Sequence, residues 1–313
     1  MKPERLIRTT VVTGPTGAIG TALCRLLLTE GCTVYAVCRP GSPRAASLPR
    51  HPRLHPVFCD ASEFDALPDR IPAPADVFFH LAWAHTTGAG RNDMPAQLDN
   101  VRAALQAVRS AAALGCRLFV GAGSQAEYGR SAVPLGTDTP TFPETGYGMA
   151  KLCAGQMTRA EAHRLGLGQI WLRVLSVYGP HDGPNTLISS AGRALLHKEC
   201  PALTAGEQQW DYLYAADAAR AFLLAARFGR DGAVYPLGSG TVHPLRWYVE
   251  TLRDAVDPAL PLGFGRIPYP PGQVMFLQAD LTALQHDTGF VPQTDFEHGI
   301  AETVCWLRKE NHV

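Results

Sequence analysis

The chain has 313 residues, 46% of them apolar and 18% charged, and its 28 Lys and Arg balance its 28 Asp and Glu. That length fits a large domain with a smaller companion, the apolar share excludes a disordered chain, and the balanced charge leaves no electrostatic footprint for nucleic acid or an anionic membrane. The 8 cysteines are scattered, without a Cys-x-x-Cys pair or zinc-type spacing, and read as reduced thiols of a cytoplasmic protein.

The opening stretch MKPERLIRTTVVTG passes from charged residues into an apolar run too short for a secretion signal, and no segment reaches the roughly 18–20 apolar residues of a membrane span. Thr9 to Thr13 is a β-branched run closed by glycine, a buried strand by length and composition. Thr21 to Leu28 is helical and stops near Gly31; Thr33 to Cys38 is a second strand. Pro40 to Pro56, rich in proline and arginine, reads as an irregular surface connection. Leu54–Phe58, Asp76–Leu81, Arg117–Val120 and Gln169–Leu175 are further apolar strands, with helical stretches at Pro95–Leu114 and Tyr147–Leu165. Apolar strands alternating with helices predict an α/β fold, a Rossmann-type doubly wound parallel sheet covered on both faces. Past Gly179, helical stretches at Thr186–His197, Ala215–Arg227 and His243–Val256 alternate with loops rich in Gly, Pro and His. We expect a dinucleotide-binding domain at 1–177, with 211–240 returning to it, and a substrate-binding lobe at 178–210 and 241–313. Ligands of such sheets bind at the carboxyl ends of the strands, where later elements fold over them.

Gly14, Gly17 and Gly20 follow a strand and open a helix, with Thr16, Ala18 and Ile19 between them. This is the context in which backbone amides and the positive helix end meet a pyrophosphate. At the end of the second strand an NAD site usually places an acid for the ribose diol, and an NADP site a cation for the 2′-phosphate. Here Arg39 stands at that place and no carboxylate lies between Thr33 and Pro56, so NADP(H) is favoured and NAD(H) is the alternative. Arg44 either assists at the phosphate or is simply solvated. Asp60 either accepts from the adenine amine or closes an ordinary strand-end turn.

Tyr147 and Lys151, four apart on one helical stretch, share a face. A phenol with a pKa of about 10 is a poor base at neutral pH, and a neighbouring ammonium favours its phenolate. Such a pair can protonate a carbonyl or deprotonate an alcohol while a nicotinamide gives or takes hydride. Ser124, at the end of a buried strand and 23 residues before Tyr147, can hydrogen-bond the same substrate oxygen.

Together these fragments resemble the extended short-chain dehydrogenases/reductases, the NAD-dependent epimerases and dehydratases that act on nucleotide sugars. The likeness covers nearly the whole chain, extending to Phe78-Phe79-His80-Leu81-Ala82, Ser124-Gln125-Ala126-Glu127-Tyr128-Gly129, Leu172-Arg173-Val174-Leu175-Ser176-Val177-Tyr178-Gly179-Pro180 and Trp210-Asp211-Tyr212-Leu213-Tyr214. The resemblance implies Ser124, Tyr147 and Lys151 as the catalytic set. It places Leu81, Ala82, Asn100 and Leu175, with Tyr147 and Lys151, against the cofactor, and Trp83, Ser124, Gln125, Tyr147, Ser176, Asn185 and Trp210 toward the substrate. It also implies a homodimer formed by the helices near Asn100 and after Tyr147.

The departures choose among reactions. Dehydratases of the family carry Asp-Glu where this chain has Gln125-Ala126, which argues against 4,6-dehydration. The family arginine that grips a diphosphate is replaced by Trp210. A second one has no counterpart in Pro268–Gly272, and Arg266 is a few residues away. The expected reaction is reduction of a C4 keto group on a nucleotide-linked sugar. A nucleotide-sugar 4-epimerase with tightly bound NAD is the alternative, and a non-catalytic dinucleotide-binding protein the third reading.

Overall fold

The computed structural model describes residues 4–311. Among the described residues eleven strands and nine α-helices follow in chain order. The strands are β1 Thr9–Thr13, β2 Thr33–Cys38, β3 Leu54–Phe58, β4 Val77–His80, β5 Leu118–Ser124, β6 Gly168–Val174, β7 Ser176–Tyr178, β8 Gln209–Trp210, β9 Tyr212–Tyr214, β10 Val234–Leu237 and β11 His243–Pro244. The helices are α1 Ala18–Thr29, α2 Leu67–Arg70, α3 Met94–Ala113, α4 Gly146–Arg164, α5 Leu187–Leu196, α6 Ala215–Phe228, α7 Leu245–Val256, α8 Thr282–Thr288 and α9 Phe296–Asn311.

Seven strands form one parallel sheet in the order β10-β6-β5-β4-β1-β2-β3. Side chains alternate across a strand, so Val11 and Val12 of β1 enter different cores. One core lies beneath α1 and α6, with Leu23, Leu27 and Phe222 fully buried; the other lies beneath α3 and α4, with Ala104, Ala107 and Phe78. Burial on both faces explains why these strands read as continuous apolar runs. The strand order reverses between β1 and β4. That switch point opens a crevice at the carboxyl ends of the strands, where ligands of such folds bind.

A third core, built from Tyr178, Ile188, Leu195, Tyr248, Leu252, Phe296 and Ile300, joins α5, α7 and α9. Two short pairs, β7 with β9 and β8 with β11, connect it to the main sheet. No helix is expected beyond Val256 from the sequence, yet α8 and α9 are present. Gly289, Pro292 and Gly299 punctuate that region and hide the apolar spacing of Phe296, Ile300, Val304 and Leu307, all of which are buried. Within Pro40–Pro56 a 3-10 turn at Pro43–Ser47 orders the expected irregular connection.

Candidate active site

The turn from β1 into α1 leaves the strand at Gly14, whose φ of +68° suits glycine. Gly17 caps α1 without a side-chain cap, and no acidic residue lies in the first turn. The orphan N–H groups and positive end of the helix are therefore free to meet an anion. A Cβ on Gly20 would fall 2.1 Å from the Gly14 carbonyl oxygen, so the helix can pack this closely only with glycine there. A Cβ on Gly17 would meet nothing nearer than that oxygen at 3.8 Å. The protein itself does not crowd Gly17; its bare backbone leaves room for a ligand. The Thr21 hydroxyl donates to the Pro15 carbonyl at 3.1 Å and ties the turn, while Leu81 and Ala82 press against Gly14. Thr16, Ala18 and Ile19 are half-buried along the same turn. This cradle fits the pyrophosphate of a dinucleotide.

Arg39 is exposed at the end of β2. The Asp60 carboxyl sits below its usual range, chiefly because it accepts from the Ser62 N–H at 3.0 Å and the Ser62 hydroxyl at 2.8 Å, with a smaller contribution from the Arg39 charge. Asp60 thus caps the turn after β3 and faces Arg39. Arg44 donates to the His181 carbonyl, so it clasps the loop after β7 across 137 positions of sequence.

The three residues expected to react, Ser124, Tyr147 and Lys151, come from β5 and α4. Thr145 caps α4 by accepting from the Gly148 N–H at 3.1 Å, which places Tyr147 and Lys151 on the first turns of that helix, 8% and 4% exposed. The Lys151 ammonium donates to the Ala122 carbonyl of β5 at 2.6 Å. Burial pulls its pKa down to about 7, against an opposing pull from the Glu127 carboxylate. Burial likewise lifts the Tyr147 phenol above its ordinary value; a hydrogen bond with Ser124 and the charge of Arg91 work the other way, and Glu127 adds to the rise. His80, pushed down to about 3 by burial and then by Lys151, is a neutral ring held by the Thr13 hydroxyl at 3.0 Å. It is a strut between β1 and β4, not a proton carrier.

Several contacts at this site join residues far apart in sequence. Trp83, expected to face substrate, packs against Tyr147 and Lys151: the Lys151 nitrogen is 3.8 Å from its ring centroid, and the Tyr147 ring stands edge-on at 6.2 Å. Its indole N–H donates to Gln97 at 2.9 Å. Asn100, expected at the nicotinamide end, accepts from the Ala84 N–H and donates to the Ala84 and Ala96 carbonyls. Its amide therefore holds the loop after β4. Gln97 and Asn100 are buried polar residues on an alanine-rich helix, a pattern that could have revealed them. Glu127, fully buried, accepts from the Ser124 N–H at 2.8 Å, the Trp171 N–H at 3.0 Å and Arg173 at 2.7 Å. It fixes the turn that carries Ser124 and the half-buried Gln125.

On the far side, the Trp210 N–H donates to the Ser176 hydroxyl at 2.8 Å. Leu175, buried between β6 and β7, donates its N–H to the Leu237 carbonyl. A cavity of about 290 Å³ opens beside Trp210, walled by Leu187, Thr204, Gln208, Tyr212 and Phe264, and among the described residues no Lys, Arg, His, Asp or Glu lines it. Arg246 lies on the Phe264 ring, 3.8 Å from its centroid. Asn185 is exposed in the loop before α5 and does not line this cavity. Among the described residues no cluster of His, Cys, Asp or Glu is placed to hold a metal, and no helix is long and apolar enough to cross a membrane.

Residues 10–238 match the NAD dependent epimerase/dehydratase family. The dTDP-glucose 4,6-dehydratase of Shigella flexneri is 31% identical over 183 residues, 56% of this chain and 51% of that protein. The chain thus spans about half the length of this curated relative. Among solved structures, the UDP-N-acetylglucosamine 4-epimerase from Methanobrevibacter ruminantium M1, in complex with UDP-N-acetylmuramic acid, superposes with a TM-score of 0.87. It is 25% identical, and the match covers 99% of this chain and 100% of that one. RMD from Pseudomonas aeruginosa, complexed with NADPH, has the same fold with a TM-score of 0.82 at 21% identity, covering 97% and 99%.

Proposed function

Because the chain belongs to the NAD-dependent epimerase/dehydratase family, we propose that it is an NADP(H)-linked oxidoreductase that reduces the C4 keto group of a nucleotide-linked sugar. The observation that carries this reading is the exposed Arg39 at the end of β2, with no carboxylate between Thr33 and Pro56. A cation there suits the 2′-phosphate of NADP(H), the cofactor that exchanges between turnovers in net reduction. The cradle from Gly14 to Gly20 would hold the pyrophosphate, with Leu81, Ala82 and Leu175 toward the nicotinamide. When bound, the cofactor supplies hydride. The Tyr147 phenol gives its proton to the substrate oxygen, the Ser124 hydroxyl orients that oxygen, and Lys151 offsets the phenolate left behind. Residues 1–177 and 211–240 would carry the cofactor, and 178–210 with 241–313 the sugar and its nucleotide. The cavity beside Trp210 would take the uncharged part of the nucleotide, and Arg246 at its rim the diphosphate.

Gln125 and Ala126 stand where dehydratases of this family carry an acid pair, so the dehydration named for the curated relative is not carried over to this chain. A 4-epimerase that retains NAD uses the same residues at the reacting carbon, and the likeness to the archaeal epimerase favours it as the second reading. Fluorescence titration with NAD(H) and NADP(H), followed by a screen of UDP-, dTDP-, CDP- and GDP-sugars, separates the two. Reduction consumes NADPH in step with product; epimerisation inverts the sugar with no added cofactor. Arg39→Asp should weaken NADPH at least tenfold relative to NADH, since it replaces the phosphate's cation with a like charge. An intact protein that prefers NADH, or whose preference ignores Arg39→Asp, would sink the argument from Arg39.

A homodimer through α3 and α4 belongs to the same reading. Met94 and Leu98 on α3 and Met149 and Met157 on α4 are 49%, 63%, 49% and 44% exposed, side chains that a partner copy would cover. The free thiols fit a cytoplasmic setting. Light scattering should give a mass of two chains, and Leu98→Glu a mass of one; a monomer in the unaltered protein rules the dimer out.

A further inference from the structure

The loop between β4 and α3 carries a second cation to the reacting phenol. Its shape is imposed by α3: the Gln97 amide donates to the His85 and Gly90 carbonyls at 3.0 and 2.9 Å, and Asn100 grips both backbone groups of Ala84. Its far end is tied to α4, since Asn92 accepts from the Gly146 N–H at 3.0 Å, one residue before Tyr147. Between these anchors Arg91 donates to the Thr86 carbonyl at 3.2 Å and lays its guanidinium 4.4 Å from the centroid of the Tyr147 ring.

We propose that Arg91 is a positioning residue for Tyr147: it orients the phenol ring and supplies the permanent positive charge that favours the phenolate. The proposal rests on the reading of Tyr147 as the proton carrier. As the phenol O–H bond breaks, the proton passes to the substrate oxygen and the electron pair stays on the phenolate, so a fixed cation beside the ring stabilises what remains. Lys151 does this incompletely. Its nitrogen is pinned to the Ala122 carbonyl and the Trp83 face and lies 5.9 Å from the Tyr147 centroid, and its charge is lost as the pH rises through about 7. A guanidinium keeps its charge throughout. The other groups facing the phenol are the Ser124 hydroxyl from β5, the Trp83 ring, and the Glu127 carboxylate, which is itself paired with Arg173 of β6. His80 of β4, held neutral by burial and by the Lys151 charge, adds no charge of its own beside the phenol.

The test uses full-length protein grown with a difluorinated tyrosine, whose phenol ionises within the working pH range. The fluorine resonance of residue 147 is assigned by its absence in Tyr147→Phe. Arg91→Met, which keeps length and removes charge, should raise the ionisation midpoint of that resonance by about one pH unit. Arg91→Lys should keep most of the original midpoint. An unmoved midpoint in Arg91→Met, or equal shifts in both variants, overturns the proposal; a raised KM with an unmoved midpoint makes Arg91 a substrate contact instead. Should Arg91→Met not fold, Arg91→Gln gives the same comparison. The titration needs neither cofactor nor substrate, so it can fail while the redox reading stands, and succeed when no nucleotide sugar is turned over.

Discussion

Tyr147→Phe should bind the dinucleotide as the unaltered chain does yet turn over roughly 10²–10⁴ times more slowly, as followed by loss of NADPH absorbance. The substitution removes one oxygen from a ring whose packing against Trp83 and Arg91 is otherwise kept, so the loss is one of proton transfer and not of fold. The pH dependence has a definite sign. In the reducing direction the phenol must be protonated and Lys151 should be charged, and burial pulls Lys151 down to about 7. The ammonium is therefore complete below that pH, and kcat/KM should fall as the pH climbs through it. In Lys151→Met this limb should vanish along with most of the activity. A Tyr147→Phe variant with undiminished kcat would remove Tyr147 from the chemistry.

Glu127→Val should destabilise the chain by about 3–5 kcal/mol, because it strands the guanidinium of Arg173 in the interior without its counter-charge. The Arg173 and Glu127 side chains are 9% and 1% exposed and 2.7 Å apart. The same change orphans the Ser124 N–H and the Trp171 indole N–H, which both donate to Glu127. A melting-temperature fall on the order of 10 °C follows. The double variant Glu127→Val with Arg173→Leu should recover much of it, since replacing a whole buried pair with apolar residues is often neutral. Equal melting temperatures for Glu127→Val and the unaltered chain would mean that water reaches Arg173. Because Glu127 also fixes the turn bearing Ser124, even the stable double variant should lose activity.

The local parts of this site were legible because their signals are local. The Gly14–Gly20 turn lies within one strand-to-helix junction, and Tyr147 and Lys151 share a helical face by spacing alone. The parallel sheet was legible too, since strands buried on both faces must be apolar throughout. Arg44, by contrast, is exposed as one of its two readings had it, and it also donates to the His181 carbonyl, a contact the sequence does not announce. Asn100, expected near the nicotinamide, also grips both backbone groups of Ala84, a contact its sequence neighbourhood does not announce. Neither partner stands near its arginine or asparagine in any periodic pattern, so no spacing rule points to it.

What the chain determines by itself is the set of local groups: a glycine-rich turn from strand into helix, Arg39 and no acid after the second strand, and a phenol with an ammonium one helical turn away. These follow from residue type and short-range geometry. The tertiary structure alone decided how those groups are tuned. It set Trp83 against Lys151 and Arg91 against Tyr147, buried Glu127 with Arg173, and walled the cavity at Trp210 without a charge. Electrostatic tuning depends on which side chains are brought together and how far water is excluded from them, and both are products of packing between elements distant in sequence.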